Sequence, residues 1–250
     1  MRSVLITGAN RGLGLEFVRQ LISAAKPPKH IFAGCRSPDK AEDLQRIANG
    51  NKGVVILKID VCDGATLPPA VETVERVVGE AGLNVLINNA GIISRENCET
   101  TTAEQLETLH RVNVVGPSLV TQAFLPALKC AAKSTSSDTS TMSLDTAAIV
   151  NLTSILGSIS KNTSGYSVAY KTSKAGLNML TSCMAHEFGQ YGIMAVAMHP
   201  GWVQTDMGGK HKAPITPEDS ISGMLDTLGK LRGMEDSGKA YQWNGKTMDW

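Results

Sequence analysis

The chain has 250 residues, enough for one large α/β domain or two small ones. Its formal net charge of +1 excludes a bulk electrostatic attraction to nucleic acid or to a membrane surface. Five scattered cysteines without a CxxC pair predict neither a zinc site nor a disulfide framework, and they are typical of a reducing compartment.

The N-terminus and the apolar runs predict a cytoplasmic protein. The first residues lead directly into a glycine-rich motif and leave no room for a signal peptide. The longest uncharged apolar-rich run, Val114 to Leu128, contains Gly116 and Pro117 and is shorter than the about 18 residues of a membrane span. We therefore expect no membrane, no nucleic acid and no metal among its partners.

The first predicted strand, Ser3 to Thr7, leads into the glycine-rich stretch TGANRGLG and then into an amphipathic helix. Glycines allow a tight turn close to a pyrophosphate, and a helix N-terminus offers unpaired N–H groups. The spacing is GxxxGxG and not the commoner GxGxxG, so a plain turn with a helix cap stays an alternative. The predicted cofactor-binding residues here are Gly8, Asn10, Arg11, Gly12, Leu13 and Gly14.

The second predicted strand, His30 to Gly34, bears on the choice of nicotinamide cofactor. A carboxylate after this strand would bind a ribose 2′-hydroxyl, whereas an arginine would bind a 2′-phosphate. The chain has Arg36 there and no acid before Asp39, and Arg11 could supply a second positive charge. Either arginine alone could be a solvated surface residue, but together they favour NADP(H).

Two further predicted strands end in candidate cofactor contacts. Asp60 and Val61 follow the strand Val54 to Ile59, and the Asp60 carboxylate could accept a hydrogen bond from an adenine amino group or cap the turn. The stretch Asn88, Asn89, Ala90 and Gly91 follows the strand beginning at Val85. It suits backbone lying against a ligand, with side-chain amides that tie strand ends together; an Asn-Gly turn is the alternative.

One or two helices are predicted from Ala103 to about Lys133, and Asn113 lies within their apolar run. A buried amide must be paired, either for function or with a backbone carbonyl in a bent helix. Residues 134–146 are rich in Ser and Thr and predict an exposed insertion loop. A buried strand, Ala147 to Leu152, follows, and Ser154 lies just beyond it, where its hydroxyl could serve chemistry or cap the turn.

Tyr170 and Lys174 lie four residues apart in a helical pattern that runs to about Gln190, so both can point to one spot. A nearby cation lowers the pKa of a phenol from its usual value of about 10, which makes it a better acid–base group. A surface lysine beside a half-buried tyrosine is the alternative for so short a pattern.

The last third contains a strand from Ile193 to Met198, a helix from Pro217 to Leu231, and a short final strand with an aromatic tail from Lys239. His199 is predicted to be structural. Four apolar residues could wall a pocket or belong to ordinary packing: Trp202, Met207, Met224 and Leu225.

Strand and helix patterns alternate over residues 1–250 without a composition break. This predicts one domain with a Rossmann-type, doubly wound parallel α/β sheet of about seven strands and helices on both faces. Ligands gather at the carboxyl ends of such strands, where the motifs above all fall.

Taken together, these motifs resemble the short-chain dehydrogenase/reductase family. The matching pieces cover nearly the whole chain in family order: TGANRGLG, Asp60, NNAG, Asn113, Ser154, YKTSK and PGWVQT. The wording of NLTSILGSIS, HPGWVQTDMGG and WNGKTMDW is most similar to the Sniffer and C-factor-like carbonyl reductases within that family.

The resemblance implies an NADPH-dependent reductase of aldehydes or ketones. It implies that Tyr170 donates a proton to the carbonyl oxygen, that Ser154 polarises this oxygen, and that Lys174 lowers the pKa of Tyr170 and holds the nicotinamide ribose. It further implies that Asn113 holds a water for proton resupply, that Val203 and Thr205 contact the carboxamide, and that the chain forms a homodimer or homotetramer.

Two features depart from the family pattern or leave it open. The gap from Ser154 to Tyr170 is longer than usual, with the extra length expected in Lys161–Ser167, which leaves Ser158 as a rival polarising hydroxyl. Alternative functions are a weakly catalytic NADP(H)-sensing regulator and a reductase of steroids or 3-oxoacyl thioesters. A basic rim would suit an acyl carrier, and no strong one is formed by Lys210, His211 and Lys212.

Overall fold

The computed structural model describes residues 1–135, 141–209 and 212–250. Eight strands form one sheet in the order β3-β2-β1-β4-β5-β6-β7-β8, in which all neighbours are parallel except β7 and β8. The strands are β1 Ser3–Thr7, β2 His30–Cys35, β3 Val54–Lys58, β4 Val85–Asn88, β5 Ala148–Leu152, β6 Met194–His199, β7 Ala240–Gln242 and β8 Thr247–Met248.

Helices cover both faces of the sheet and bury its apolar strands, as the consecutive apolar residues of each strand require. One face packs on α1, α2 and α7, and the other on α3, α5 and α6. The helices are α1 Gly12–Ser23, α2 Glu42–Gly50, α3 Leu67–Val78, α4 Ala103–His110, α5 Gly116–Thr135, α6 Val168–Phe188, α7 Pro217–Leu228 and the single turn α8 Gly233–Asp236.

The predicted doubly wound α/β sheet is confirmed, with one strand more than the seven expected. The additional strand comes from the tail, because β7 and β8 pair as an antiparallel hairpin with Tyr241 opposite Thr247. β8 has two residues, too few for a sequence pattern to show. A switch point lies between β1 and β4, where the chain crosses from the β3 side of the sheet to the β5 side.

The prediction of an exposed loop over residues 134–146 is wrong for much of its described part. Ser134 and Thr135 end α5, and Met142, Ser143 and Leu144 are buried. Met142 and Leu144 belong to the core beside α7, and burial of these two apolar side chains holds the segment against the rest of the protein. Residues 136–140 lie outside the described residues.

One continuous helical stretch, Ala103–Thr135, is long and apolar enough to cross a membrane by length and composition alone. The same test is passed by core helices of soluble proteins, and 44% of its most apolar window is buried inside this domain. Its apolar residues Val120, Phe124 and Leu128 pack against the sheet, which accounts for the composition.

Candidate active site

The glycine-rich turn between β1 and α1 has the shape that a bound pyrophosphate needs. Gly8 and Gly12 have φ angles of +66° and +54°, which a side chain would strain. The N-terminus of α1 has no side-chain cap and no acidic residue in its first turn. Its unpaired N–H groups therefore remain available to an anion. A β-carbon on Gly14 would lie 2.3 Å from the Gly8 carbonyl oxygen, so only glycine allows the turn to close.

Asn89 holds this turn against the end of β4. Its Nδ2 donates to the carbonyl oxygens of Thr7 and Gly8, at 2.8 and 3.2 Å. The Thr7 hydroxyl in turn accepts hydrogen bonds from the backbone N–H groups of Asn89 and Ala90, at 3.0 and 3.1 Å. The Asn89 amide thus makes its predicted contact with the backbone of the neighbouring strand end. Thr7, which the sequence indicates only as the last residue of the first strand, is a further residue of the site.

The loop that follows β6 closes over the glycine turn from the other side. Arg11 and Asp206 form an exposed ion pair at 3.4 Å, and a β-carbon on Gly12 would lie 3.8 Å from the Thr205 methyl group. The loop is itself fixed, because Val203 is buried and forms a parallel bridge with Ile215. The structure thus brings the predicted pyrophosphate and carboxamide residues together.

The predicted adenine end lies beyond β2 and β3. Arg36 is the first residue after β2 and is exposed, whereas Asp60 is partly buried. The Asp60 carboxylate accepts the backbone N–H of Cys62 at 2.9 Å, so it does cap its turn. Val61 packs against Gly116 of α5, where a β-carbon would approach within 2.9 Å.

The side chain of Asn88 serves the interior of the protein. Its Nδ2 donates to Asn151 Oδ1 at 2.9 Å and to the Thr121 hydroxyl at 3.2 Å, and the residue is 2% exposed. Asn88 and Asn151 are register partners on β4 and β5. The Asn88 amide thus joins the ends of two neighbouring strands, as expected. Because its NH₂ group is used in this way, the side chain does not serve the predicted cofactor contact of Asn88.

Asn113 lies on a single π-helical turn, Arg111–Val115, between α4 and α5. Its side chain is buried and pairs with Ile92 in both directions, accepting from the N–H and donating to the carbonyl at 3.0 Å each. Its second Nδ2 hydrogen goes to Ser173 at 2.9 Å. The amide thus pairs with a backbone carbonyl, as the structural alternative predicted, and π turns of this kind are frequent at functional sites.

The hydroxyl groups of Ser154 and Tyr170 lie close together at the carboxyl end of β5. Burial raises the pKa of Tyr170 to about 12, although the neighbouring Ser154 hydroxyl acts in the opposite direction. The rival hydroxyl of Ser158 is instead paired with Ser160 at 3.1 Å and accepts the N–H of Lys161. Ser154 is therefore the serine that faces the tyrosine.

Lys174 lies beside the phenol without contacting its oxygen in a hydrogen bond. Its ammonium donates to the Leu152 carbonyl at 2.6 Å and lies 5.8 Å from the Tyr170 ring centroid. Burial lowers the pKa of Lys174 to about 8. The expectation that Lys174 brings the pKa of Tyr170 below its usual value is wrong for the chain's own groups, because burial of the phenol raises that pKa.

Gly91 completes the pocket around these groups. A β-carbon there would lie 3.2 Å from Asn113 Oδ1 and 3.7 Å from the Lys174 ammonium. A glycine at this position thus leaves an approach to both side chains from the strand ends. The structure brings Asn113, Ser154, Tyr170 and Lys174 to the same edge of the sheet as the glycine turn.

Glu96 is a site residue that sequence analysis missed. Its carboxylate accepts the N–H of Ala169 at 3.0 Å and the Ser94 hydroxyl at 2.8 Å, so it caps the helix that carries Tyr170. Burial alone raises the pKa of Glu96, but hydrogen bonds from Ser94 and from backbone N–H groups leave it below its usual value. Ser167, which precedes α6, is left-handed with φ +56° and does not cap it. No sequence pattern predicts a cap that comes from so distant a residue.

The loop that precedes α6 is fixed by the side chain of Lys171. Its ammonium donates to Asn162 Oδ1 and to the carbonyl and hydroxyl oxygens of Ser164, at 2.6, 2.6 and 2.9 Å. The loop Lys161–Ser167, where the extra length was expected, is therefore held against α6 by these hydrogen bonds.

The predicted apolar pocket wall is only half present. Trp202 and Met207 are exposed on the loop after β6, with 53% and 39% of their surface accessible. Met224 is fully buried and cannot line a pocket, whereas Leu225 is partly buried and packs against the same core. Lys210 and His211, which were not expected to form a strong basic rim, lie outside the described residues.

Comparison with known proteins agrees with this arrangement. Residues 2–215 match the family described as short chain dehydrogenase. The fold is similar to that of the carbonyl reductase Sniffer of D. melanogaster, with a TM-score of 0.96 and 39% identity over 100% of both chains. An NADPH-bound carbonyl reductase from chicken fatty liver gives a TM-score of 0.94 and 41% identity, covering 100% of this chain and 99% of that one.

The C-signal protein of Myxococcus xanthus is 36% identical over 171 residues, which are 67% of this chain and 93% of that protein. The family match extends from the glycine turn to the loop that closes over it. The chain therefore belongs to the short-chain dehydrogenase family and resembles its Sniffer carbonyl reductases.

Proposed function

We propose that this protein is an NADPH-dependent carbonyl reductase that converts aldehydes or ketones to alcohols. The observation that carries the proposal is the convergence of three buried groups: the Ser154 hydroxyl, the Tyr170 phenol and the Lys174 ammonium, which lies 5.8 Å from the phenol ring centroid. These groups lie past the ends of β5 and within α6, on the edge where the glycine turn presents its free N–H groups. The family match makes an oxidoreductase reaction the expected use of that edge.

The chemistry follows from the state of each side chain. The nicotinamide supplies the hydride when it is bound. A Tyr170 pKa of about 12 keeps the phenol protonated at neutral pH, so it can donate a proton to a carbonyl oxygen. The Ser154 hydroxyl is positioned to donate to the same oxygen and stabilise the charge that develops on it. Lys174, with a pKa of about 8, is mostly charged at pH 7 and favours that proton transfer.

The preference for NADPH rests on two exposed arginines. Arg36 follows β2, where a 2′-phosphate would lie, and Arg11 belongs to the glycine turn. Arginine binds a phosphate through several parallel N–H groups, and no carboxylate stands at the Arg36 position to repel one. The chicken reductase with 41% identity binds NADPH, which supports the same choice here.

Substrates with an apolar body are favoured by the surface around the site. Trp202 and Met207 on the loop after β6, and Leu156 and Ile159 shortly after Ser154, are exposed apolar side chains. Such side chains would contact the apolar part of a substrate bound at this edge, since ligand sites are lined mostly by hydrophobic groups.

The decisive experiment measures the loss of NADPH absorbance with a panel of apolar aldehydes and ketones. Tyr170→Phe removes the proton donor and should lower kcat by about 10²- to 10⁴-fold while NADPH still binds. Tyr191→Phe is the matched control, because Tyr191 stacks under Lys129 on the far side of the domain. Turnover retained in Tyr170→Phe would refute the mechanism, and NADPH binding without turnover in the wild type would instead favour the regulatory alternative.

The dimer or tetramer implied by the family stays a prediction. Support comes from Met179, which is 66% exposed on the outer face of α6, and from Val115, 36% exposed at the π turn. Light scattering of the purified protein tests it, and Met179→Glu should dissociate an assembly that pairs through these helices. A monomer at micromolar concentration would remove the proposal.

A further inference from the structure

Ser154 is held on a short turn that has little stability of its own. The residue precedes a single 3₁₀ turn, Ile155–Gly157, and its hydroxyl also accepts the N–H of Leu156 at 3.2 Å. A turn of three residues provides one or two hydrogen bonds and cannot by itself fix a side chain to within a fraction of an ångström. The position of the Ser154 hydroxyl therefore depends on what anchors the two ends of the turn.

Asn178 anchors both ends. Its Oδ1 accepts the hydroxyl of Thr153 at 2.5 Å, and its Nδ2 donates to the carbonyl of Gly157 at 3.1 Å. Thr153 comes immediately before Ser154, and Gly157 is the last residue of the turn. Asn178 is 4% exposed, so solvent competes little with either hydrogen bond.

The anchor belongs to the helix that also carries the proton donor. Asn178 lies on the buried face of α6, one helical turn beyond Lys174 and two beyond Tyr170. The same face receives the turn closely, since a β-carbon on Gly157 would lie 2.8 Å from the Lys174 backbone. A single rigid helix thus sets the position of the phenol directly and that of the serine through the two hydrogen bonds of Asn178.

We propose that Asn178 is a positioning residue that holds the Ser154 hydroxyl at its working distance from Tyr170. The proposal rests on the proposed carbonyl reductase activity, in which Ser154 and Tyr170 act on one oxygen. Its effect on the reaction is exerted entirely through Ser154. Replacement of Asn178 should therefore lower kcat when Ser154 is present and have little effect on kcat when Ser154 has been replaced.

The test is a double-mutant cycle on kcat. Asn178→Leu should lower kcat roughly 10- to 100-fold, because displacement of a catalytic group by about 1 Å has effects of that size. In a Ser154→Ala background the same substitution should change kcat less than about two-fold, since coupled residues are not additive. NADPH affinity, measured by fluorescence, should be unchanged in both backgrounds.

Two further variants keep the result interpretable if Asn178→Leu folds poorly. Thr153→Val removes one of the two hydrogen bonds without a change in volume and should show the same dependence on Ser154. Thr181→Val is the matched control, because Thr181 is buried on the same helix and binds Asn151 in the sheet interior. It should lower stability without the Ser154-dependent loss of kcat. An equal loss of kcat with and without Ser154 would overturn the proposal.

Amide hydrogen exchange separates this proposal from the proposed function. Asn178→Leu should speed exchange in residues 153–158 more than Thr181→Val does, whether or not carbonyl turnover is detected. If Asn178→Leu speeds exchange but the wild type shows no carbonyl turnover, the anchoring role of Asn178 is supported and the reductase assignment is rejected. Unchanged exchange together with unchanged kcat would reject the anchor itself.

Discussion

Gly157 packs so closely on Lys174 that a β-carbon would lie 2.8 Å from both the carbonyl carbon and Cβ of the lysine. Real β-carbons do not approach other heavy atoms so closely, and the neighbour here is helix backbone, which cannot move aside. The loop of the candidate polarising serine and the helix of the candidate proton donor are therefore in direct contact, with no side chain between them.

The first prediction is that Gly157→Ala separates these two elements. The added methyl group should push the turn off α6 and lower kcat at least ten-fold, with a smaller effect on NADPH binding. Gly64→Ala is the matched control, because Gly64 lies in a similar 3₁₀ turn with no heavy atom near its missing β-carbon. Steady-state kinetics of both variants test this, and equal behaviour of the two would contradict it.

The second prediction concerns the cofactor. Arg36→Ala should raise the KM for NADPH at least ten-fold and leave that for NADH within about two-fold, because only NADPH carries the 2′-phosphate. Arg46→Ala removes another exposed arginine, one that pairs with Asp43 on α2, and should affect neither cofactor. Parallel losses for NADPH and NADH in Arg36→Ala would remove this residue from phosphate recognition.

The third prediction concerns acid stability. Burial lowers the pKa of His199 from 6.5 to about 4, and its Nδ1 has no hydrogen-bond partner among the described residues. The unfolded chain therefore binds a proton between pH 6.5 and 4 that the folded chain does not. On this account the free energy of unfolding falls by about 2 kcal/mol from pH 7 to pH 5 because of His199.

Urea denaturation of His199→Gln at the two pH values measures this contribution. The variant should lose about 2 kcal/mol less than the wild type on acidification. His186→Gln, in which an exposed histidine of α6 is replaced, controls for the removal of an imidazole. An identical pH dependence in His199→Gln and the wild type would show that the histidine titrates normally.

The fourth prediction concerns the Glu96 cap of α6, the helix that carries Tyr170. Glu96→Ala should lower the free energy of unfolding by roughly 1 kcal/mol, as for other lost helix caps, and should reduce kcat because Tyr170 follows the capped N–H directly. Glu96→Gln keeps an oxygen acceptor and should retain most of both. Glu99→Ala, an exposed change in the same loop, should be neutral. A kcat unaffected in Glu96→Ala would exclude a role in positioning.

Much of this arrangement could be predicted from local patterns. The apolar runs of β1, β5 and β6 and the glycine turn give short-range signals, so the sheet and its reactive edge were predictable. Tyr170 and Lys174 lie four residues apart on one helix, which fixes their relation without knowledge of the fold. Each of these inferences uses residues that are neighbours in sequence.

The contacts that escaped prediction join distant parts of the chain. The Glu96 cap, the Thr7 hydroxyl that accepts from Asn89, and the burial of Met142 and Leu144 all depend on tertiary packing. The direction of the Tyr170 pKa was predicted wrongly for the same reason, since the rest of the fold buries the phenol and raises its pKa. Asn178 alone left a usable signal, as a polar residue on the apolar face of a predicted helix.

The hydrogen bond between Glu96 and Ala169 joins residues 73 positions apart in sequence, and this separation affects the order in which the protein folds. Contacts of such long range form late, because the intervening chain must first collapse into place. On dilution from denaturant, circular dichroism should recover before enzymatic turnover does. A newly made chain would thus pass through a compact intermediate with its secondary structure formed. In that intermediate the N-terminal end of α6, which carries Tyr170, would still be frayed.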